Sequence, residues 1–129
     1  MIRIGIIGFG TVGVGTVKIL KESHSIIKGR TGLDLRISKI ADLDLKRRRD
    51  VEVEPEILTD DPQEILRSDE IDLVVELIGG IHPAYEYICE ALERGKWIVT
   101  ANKALLAEKG PEIFRLAKRK GCELSLIHI

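Results

Sequence analysis

Residues 4–13 read Ile4-Gly5-Ile6-Ile7-Gly8-Phe9-Gly10-Thr11-Val12-Gly13, and the change of period inside this stretch decides the fold. Ile2–Ile7 is a short, mostly apolar run that stops at a glycine, as a strand buried on both faces does. From Thr11 onward Gly13, Val17, Leu20, His24 and Ile27 share one helical face, while Lys18, Lys21 and Glu22 share another. A strand that passes so abruptly into a helix needs a tight turn. Gly8 allows the turn itself, Gly10 removes the Cβ that would keep an anion away from the backbone, and Gly13 lets the helix pack closely on the strand. The first N–H groups of a helix have no partner within it and lie at the positive end of its dipole. A Gly-x-Gly-x-x-Gly at this junction therefore predicts a cradle for the pyrophosphate of a dinucleotide.

Outward from that junction, strands and helices take turns. Gly29 is expected to stop the first helix. Residues 33–41 read as a second strand, with Leu33, Leu35 and Ile37 alternating before the pattern slips at Ile40-Ala41. Residues 42–54 are polar and charged and read as a loop, with the run Lys46-Arg47-Arg48-Arg49 taken as solvated surface. Residues 57–59 form a short third strand, and Asp60-Asp61-Pro62 opens a brief helix through Leu66. The most hydrophobic stretch, residues 71–78, ends at Gly79-Gly80. A helix follows with Pro83 in its first turn, Ala84, Ile88, Ala91 and Leu92 as its buried stripe, and Gly95 at its end. Residues 97–100 form the next strand, Pro111 opens a last helix that Gly121 closes, and residues 123–127 begin one more strand. This alternation predicts an α/β fold, a Rossmann-type doubly wound parallel sheet with helices on both faces.

Composition excludes several classes of function. Twenty basic side chains against twenty-one acidic give a net charge of -1, so nothing favours nucleic acid or an anionic membrane as a partner. Tyr85, Tyr87 and Trp97 are too scattered to stack bases. Cys89 and Cys122 lie in apolar periodic segments, with no Cys-x-x-Cys pair and no histidine at ligand spacing, so buried thiols in a reducing cytosol are expected rather than a disulfide or a metal site. The start of the chain reads as a strand rather than a signal peptide, and no apolar run approaches membrane-spanning length. A soluble, cytoplasmic protein is expected.

Further candidate site residues lie where strands end, because ligands of open α/β sheets bind there. Asp42, with Asp44 behind it, follows the second strand and is placed to accept from the adenosine ribose, although it lies beyond the usual spacing of about 20 residues. A carboxylate there favours NAD, whereas a basic side chain favours NADP, and Lys46 and Arg47 are close enough in sequence to bear on the choice. Gly79 could let the backbone pass close to the cofactor. Lys103, in Thr100-Ala101-Asn102-Lys103, would project into the crevice that holds nicotinamide and substrate, where a lysine can bind a carboxylate, orient a carbonyl or carry a proton. His24 is read as an edge-of-core residue and His82 as a helix-start residue.

The motif of residues 4–13, Val74-Val75-Glu76-Leu77-Ile78-Gly79-Gly80, and Val99-Thr100-Ala101-Asn102-Lys103-Ala104-Leu105-Leu106-Ala107 together resemble homoserine dehydrogenase, in register from residue 2 to about residue 124. The resemblance implies reversible, NADP- or NAD-dependent interconversion of homoserine and aspartate 4-semialdehyde, on the route to threonine and methionine. It implies that Phe9, Thr11 and Val12 line the dinucleotide phosphates, and that Thr100 and Lys103 face the nicotinamide end, with Lys103 close to the reacting centre.

Two departures from the family pattern bear on function. Many members carry an arginine one residue after the position of Asp42, where it meets the 2′-phosphate of NADP; this chain has Leu43, so NAD, NADP or both stay open. Residues 1–124 are expected to be the NAD(P)-binding domain and residues 125–129 an atypical tail, from truncation or artefact, so His128 is left uninterpreted. The family's substrate and dimerisation domain, with its second catalytic lysine, its substrate carboxylates and a monovalent-cation site, is expected to be absent, and with it the contacts that make the parent enzyme a homo-oligomer. Two rival readings remain: another amino-acid dehydrogenase such as an aspartate dehydrogenase, which the Thr100-Ala101-Asn102-Lys103 context disfavours, and a non-catalytic NAD-binding module.

Overall fold

A computed structural model describes residues 1–46, 49 and 51–127. The elements run β1 (Ile2–Ile7), α1 (Thr11–Glu22), α2 (His24–Thr31), β2 (Leu35–Ala41), a 3-10 turn (Pro55–Ile57), β3 (Leu58–Thr59), α3 (Gln63–Leu66), β4 (Leu73–Glu76), α4 (Ala84–Glu93), β5 (Trp97–Thr100), α5 (Lys103–Lys120) and β6 (Leu124–Leu126). The six strands form one parallel sheet in the order β3-β2-β1-β4-β5-β6. From β1 the chain builds outward to β3, then returns to the other side of β1 and builds outward to β6. The strand order thus reverses between β1 and β4, and the crevice beyond their carboxyl ends is where such sheets hold ligands.

Alternation along the strands sorts the core onto two faces. Ile4, Ile6, Ile40 and Val75 pack with Phe9 and with Val17 of α1. Ile7, Ala41, Val74 and Ile98 face the other way, under Ile65 and Leu66 of α3, the stripe Ala84, Ile88, Ala91 and Leu92 of α4, and Leu105, Ile113, Leu116 and Ala117 of α5. Gly5 lies where α3 comes nearest the sheet: a Cβ there would stand 2.5 Å from Ile65 Cγ2 and 3.2 Å from Ile71 Cδ1. Cys89 and Cys122 are free and only half-buried, and desolvation raises both thiols above their ordinary value. Among the described residues no helix is long and apolar enough to cross a membrane.

The slip in the pattern of the second strand is a register shift. Ile4 pairs with Ile37 but Gly5 pairs with Lys39, so Ser38 is an extra residue in β2. The insertion moves Ile40 onto the face already used by Leu35 and Ile37, in the way that a bulge re-aims the residues after it.

Other boundaries differ from those the sequence suggested. The first helix breaks at Ser23, whose φ of -103° and ψ of 11° leave the α region, and α2 beyond it buries no residue. Gly29 lies inside α2, which ends instead at Gly32 in the left-handed conformation. The last helix opens at Lys103 rather than Pro111, because Asn102 caps it by accepting from Leu105 N at 3.0 Å. Pro111 is tolerated mid-helix beside Gly110, whose missing Cβ removes the clash that a residue before proline suffers, and apolar packing on both sides holds the helix together. In the basic run Arg47 and Arg48 lie outside the described residues, and Arg49 is not solvated: its side chain is 5% exposed.

Gly5→Ala is expected to destabilise the chain by roughly 1–3 kcal/mol through overpacking against Ile65. Combined with Ile65→Ala, whose own cost is about 2–5 kcal/mol, the loss in urea unfolding should fall short of the sum. Simple additivity would show that α3 does not press on Gly5.

Candidate cofactor-binding site

Gly8 takes φ +112°, a conformation that L side chains rarely adopt, and turns the chain from β1 into α1. Its N–H donates to the Ala41 carbonyl at 2.8 Å, which fixes the turn against the end of β2. A Cβ on Gly13 would collide with the Gly8 carbonyl oxygen, so α1 can begin here only with a glycine at that position. Gly10 is the residue before the helix, and no side chain caps the first turn. Val14 N to Gly10 O, at 2.9 Å, is the first bond of the helix. The N–H groups of Thr11 and Val12 precede it, at the positive end of a helix of 12 residues. This uncapped turn, closed off behind by backbone, fits a pyrophosphate.

Asp42 stands beside the glycine turn. Its Oδ2 accepts from Phe9 N at 2.7 Å and its Oδ1 from Asp44 N at 2.9 Å. Arg49 lies over the Phe9 ring, 4.4 Å from its centroid, donates from Nε to the Phe9 carbonyl at 2.7 Å, and brings a terminal nitrogen within 3.7 Å of Asp42 Oδ2. The Phe9 side chain is buried in the core, so only its backbone belongs to the turn. Leu43, by contrast, is 90% exposed. Asp42, Leu43, Pro62, Ile78, Gly79 and Tyr87 border a cleft of about 350 Å³ at the carboxyl ends of the strands. Its apolar walls beside the carboxylates of Asp42 and Asp60 suit a flat heterocycle joined to a hydroxylated ring.

The far end of the crevice is organised by a residue to which the sequence pattern gives no role. Glu76, at the end of β4, is wholly buried. Its Oε1 accepts from Ile78 N at 3.0 Å and Gly79 N at 3.2 Å, and its Oε2 accepts from the Thr100 hydroxyl at 2.6 Å. Thr100 Oγ1 in turn accepts from Asn102 N at 3.0 Å, and Asn102 Nδ2 donates to the Gly80 carbonyl at 2.6 Å. The turn after β4 and the start of α5 are thereby cross-linked. Thr100 has no exposure, and its hydroxyl is engaged within this network. Gly79 has φ +75°, so the turn itself accounts for a glycine there. Lys103 is exposed on the first turn of α5, directly after the capping Asn102. Sequence reasoning likewise misses Asn102 and Arg49. A carboxylate inside an apolar strand and an asparagine before a helix are the signals that point to Glu76 and Asn102, whereas nothing local marks Arg49.

Of the two histidines among the described residues, His24 lies away from the crevice and His82 borders the cleft beside Gly79 and Tyr87. His24 Nε2 is 2.7 Å from Asp34 Oδ1 at the start of α2, and this bond is the main cause holding the Asp34 carboxyl below its ordinary value. His82 pairs with Glu86 across one helical turn.

A doubly wound parallel sheet, a glycine turn opening an uncapped helix, and an acid at the end of β2 define a dinucleotide-binding domain of Rossmann type. Comparison with known proteins makes the assignment particular. The family model described as the NAD-binding domain of homoserine dehydrogenase matches residues 8–126, and the chain belongs to that family. Homoserine dehydrogenase of Bacillus subtilis is 37% identical over 123 residues, which are 95% of this chain and 28% of that protein. Homoserine dehydrogenase of Staphylococcus aureus superposes with a TM-score of 0.90 at 36% identity, covering 97% of this chain and 32% of that one. A hyperthermophilic archaeal homoserine dehydrogenase in complex with NADPH superposes with a TM-score of 0.76 at 25% identity, over 97% of this chain and 43% of that one. The chain thus spans less than a third of the length of the bacterial relatives.

Thr100→Val should cost about 1–3 kcal/mol, because it removes the hydroxyl donor to a buried carboxylate and the acceptor of Asn102 N. The midpoint of urea unfolding reads the loss. An unchanged midpoint would mean that Glu76 finds another donor and the cross-link is dispensable.

Proposed function

We propose that residues 1–124 are the cofactor-binding domain of a cytoplasmic homoserine dehydrogenase, which interconverts homoserine and aspartate 4-semialdehyde with NAD or NADP. The observation that carries this reading is the uncapped first turn of α1 with the Asp42 carboxylate bonded to the adjoining Phe9 N–H. In this reading Gly8, Gly10 and Gly13 shape the turn, and the N–H groups of Thr11 and Val12 hold the pyrophosphate. The apolar cleft takes the adenine, and Asp42 accepts from the ribose hydroxyls. When bound, the nicotinamide ring supplies or takes up the hydride. Glu76, Thr100 and Asn102 hold the turn of Gly79 and the first turn of α5 in fixed relation to one another.

Lys103 is the catalytic candidate of this chain. Its ammonium would orient the carbonyl of the semialdehyde and supply a proton to the alkoxide as hydride arrives; in the reverse direction it would take the hydroxyl proton. One exposed lysine does not make a substrate site. A complete enzyme needs groups that recognise the amino acid and exclude water, and we assign these, together with assembly into a homo-oligomer, to the portion of the relatives beyond the matched region. The Lys103 neighbourhood favours this reading over a stand-alone NAD-sensing module, which has no use for a proton donor there.

Titration of the purified chain with NADH and NADPH, followed by energy transfer from Trp97, its only tryptophan, tests the reading. Saturable binding is expected, with no detectable homoserine oxidation by the same preparation. Gly13→Val should abolish the binding. Absence of binding by either dinucleotide would overturn the reading, and turnover by the isolated chain would overturn the assignment of the substrate site elsewhere.

A further inference from the structure

The two faces of the sheet are covered unequally on the side of β4, β5 and β6. On the face that carries α4 and α5, adjacent strands are hidden: Val74 and Ile98 are each 1% exposed. On the other face the α-helical side chains of the core come from α1, which packs on β2. Along one row of paired residues there, cover thins out toward the edge. Ile6 and Val75 are buried, Val99 is half-buried and Ser125 is exposed. One row nearer the amino ends, Leu73 is half-buried and its neighbour Trp97 is 49% exposed. Parallel sheets are ordinarily covered on both faces, so this half-face lacks a layer.

We propose that a second copy of this chain supplies that layer, docking the same half-face about a twofold axis. The contact lies at the opposite ends of the strands from the dinucleotide cleft and does not depend on the function proposed above. It is also separate from the assembly assigned to the portion of the relatives beyond the matched region.

The shape and chemistry of the surface carry the proposal. Ile2, Leu35, Leu73 and Trp97 line a groove of about 700 Å³ at the amino ends of the strands, with Leu33, itself 46% exposed, beside them. Contiguous apolar surface of this kind marks an interaction site.

Charge decides which partner fits. A twofold interface must carry both members of every pair on one patch, because the patch meets itself. This groove does so: Asp69 and Asp72 precede β4, and Arg94 follows α4. All three are exposed. Asp72 Oδ2 accepts from Arg3 N at 2.9 Å, and Arg94 comes no nearer than 4.0 Å to Glu90, so carboxylate and guanidinium both keep capacity for an outside partner. Lys96, by contrast, is 5% exposed and is spent on the carbonyls of Ser68 and Ile71. A half turn can then set Arg94 of each copy against the carboxylates of the other. A strongly acidic or strongly basic partner would meet its own sign within the groove. Two copies of a chain with a net charge of -1 repel each other little.

The test is sedimentation equilibrium of the purified chain over a wide range of concentration. A reversible equilibrium between monomer and dimer is expected. Trp97→Glu puts a charge at the centre of the contact and should leave monomer alone, with circular dichroism as the control for folding. Arg94→Glu should weaken association about tenfold, and adding Asp69→Arg to it should recover most of the loss, because the exchanged charges pair again across the axis. The unmodified chain supplies a second readout: Trp97 is its only tryptophan, so rising concentration should shield its fluorescence from acrylamide. A chain that stays monomeric to near-millimolar concentration overturns the proposal and leaves the half-face to another occupant. A dimer that a folded Trp97→Glu variant retains also overturns it, and places the contact elsewhere, for example on the open edge of β6. If that variant does not fold, the quenching decides, and a dimer that forms without shielding Trp97 overturns the proposal.

Discussion

A carboxylate with no solvent exposure is tolerable only if its oxygens find donors, and the placement of Glu76 imposes that requirement on everything around it. Two donors come from the backbone of the turn after β4 and one from the hydroxyl of Thr100 at the end of β5. The turn cannot open and β5 cannot slide without stranding a buried charge. Asn102 adds a second tie, from the head of α5 back to Gly80. The far half of the crevice is therefore a hydrogen-bonded unit in which the exposed Lys103 is carried at a fixed place by residues that are themselves hidden.

The near half is held by sterics instead. The glycine turn is wedged between the end of β2, through the Gly8 N–H, and the first turn of α1, through the absence of a Cβ on Gly13. Asp42 then bonds to this turn rather than hanging free from the strand. The two halves meet across β1 and β4, where the strand order reverses. A fold with one such reversal has one such crevice, and the separate means of bracing lie on its two sides.

Most of the architecture is legible in the sequence because the decisive signals are local and physical. The strand-to-helix junction announces itself by a change of period, and the stripe of α4 can be read because a surface helix must bury its apolar face. Boundaries misread from sequence lie where tertiary packing overrides local preference. Pro111 looks like a helix start but lies within α5 because packing and Gly110 accommodate it. Gly29 looks like a stop, yet a glycine ends a helix only where the backbone turns left-handed, and that happens at Gly32. The extra Ser38 in β2 is invisible to counting by twos, although the slip it causes is visible. Site residues divide in the same way. The glycines, Asp42 and Lys103 carry motif signals, whereas Glu76 sits within a motif that does not declare its role, and Arg49 looks like one more charge in a basic run. What distinguishes Arg49 is a contact across 40 residues of sequence, which no short window of sequence contains.

The wedge of Gly8 against Gly13 has a kinetic consequence. A loop pinned by backbone on both sides has few alternative shapes, so a phosphate arriving there as proposed would find its donors already aimed and need not select a rare conformation. Ordering entropy is then spent when the polypeptide folds, long before any ligand is present. In the proposed role, such a cradle would capture its anion at a rate set by diffusion and charge rather than by the motion of the protein.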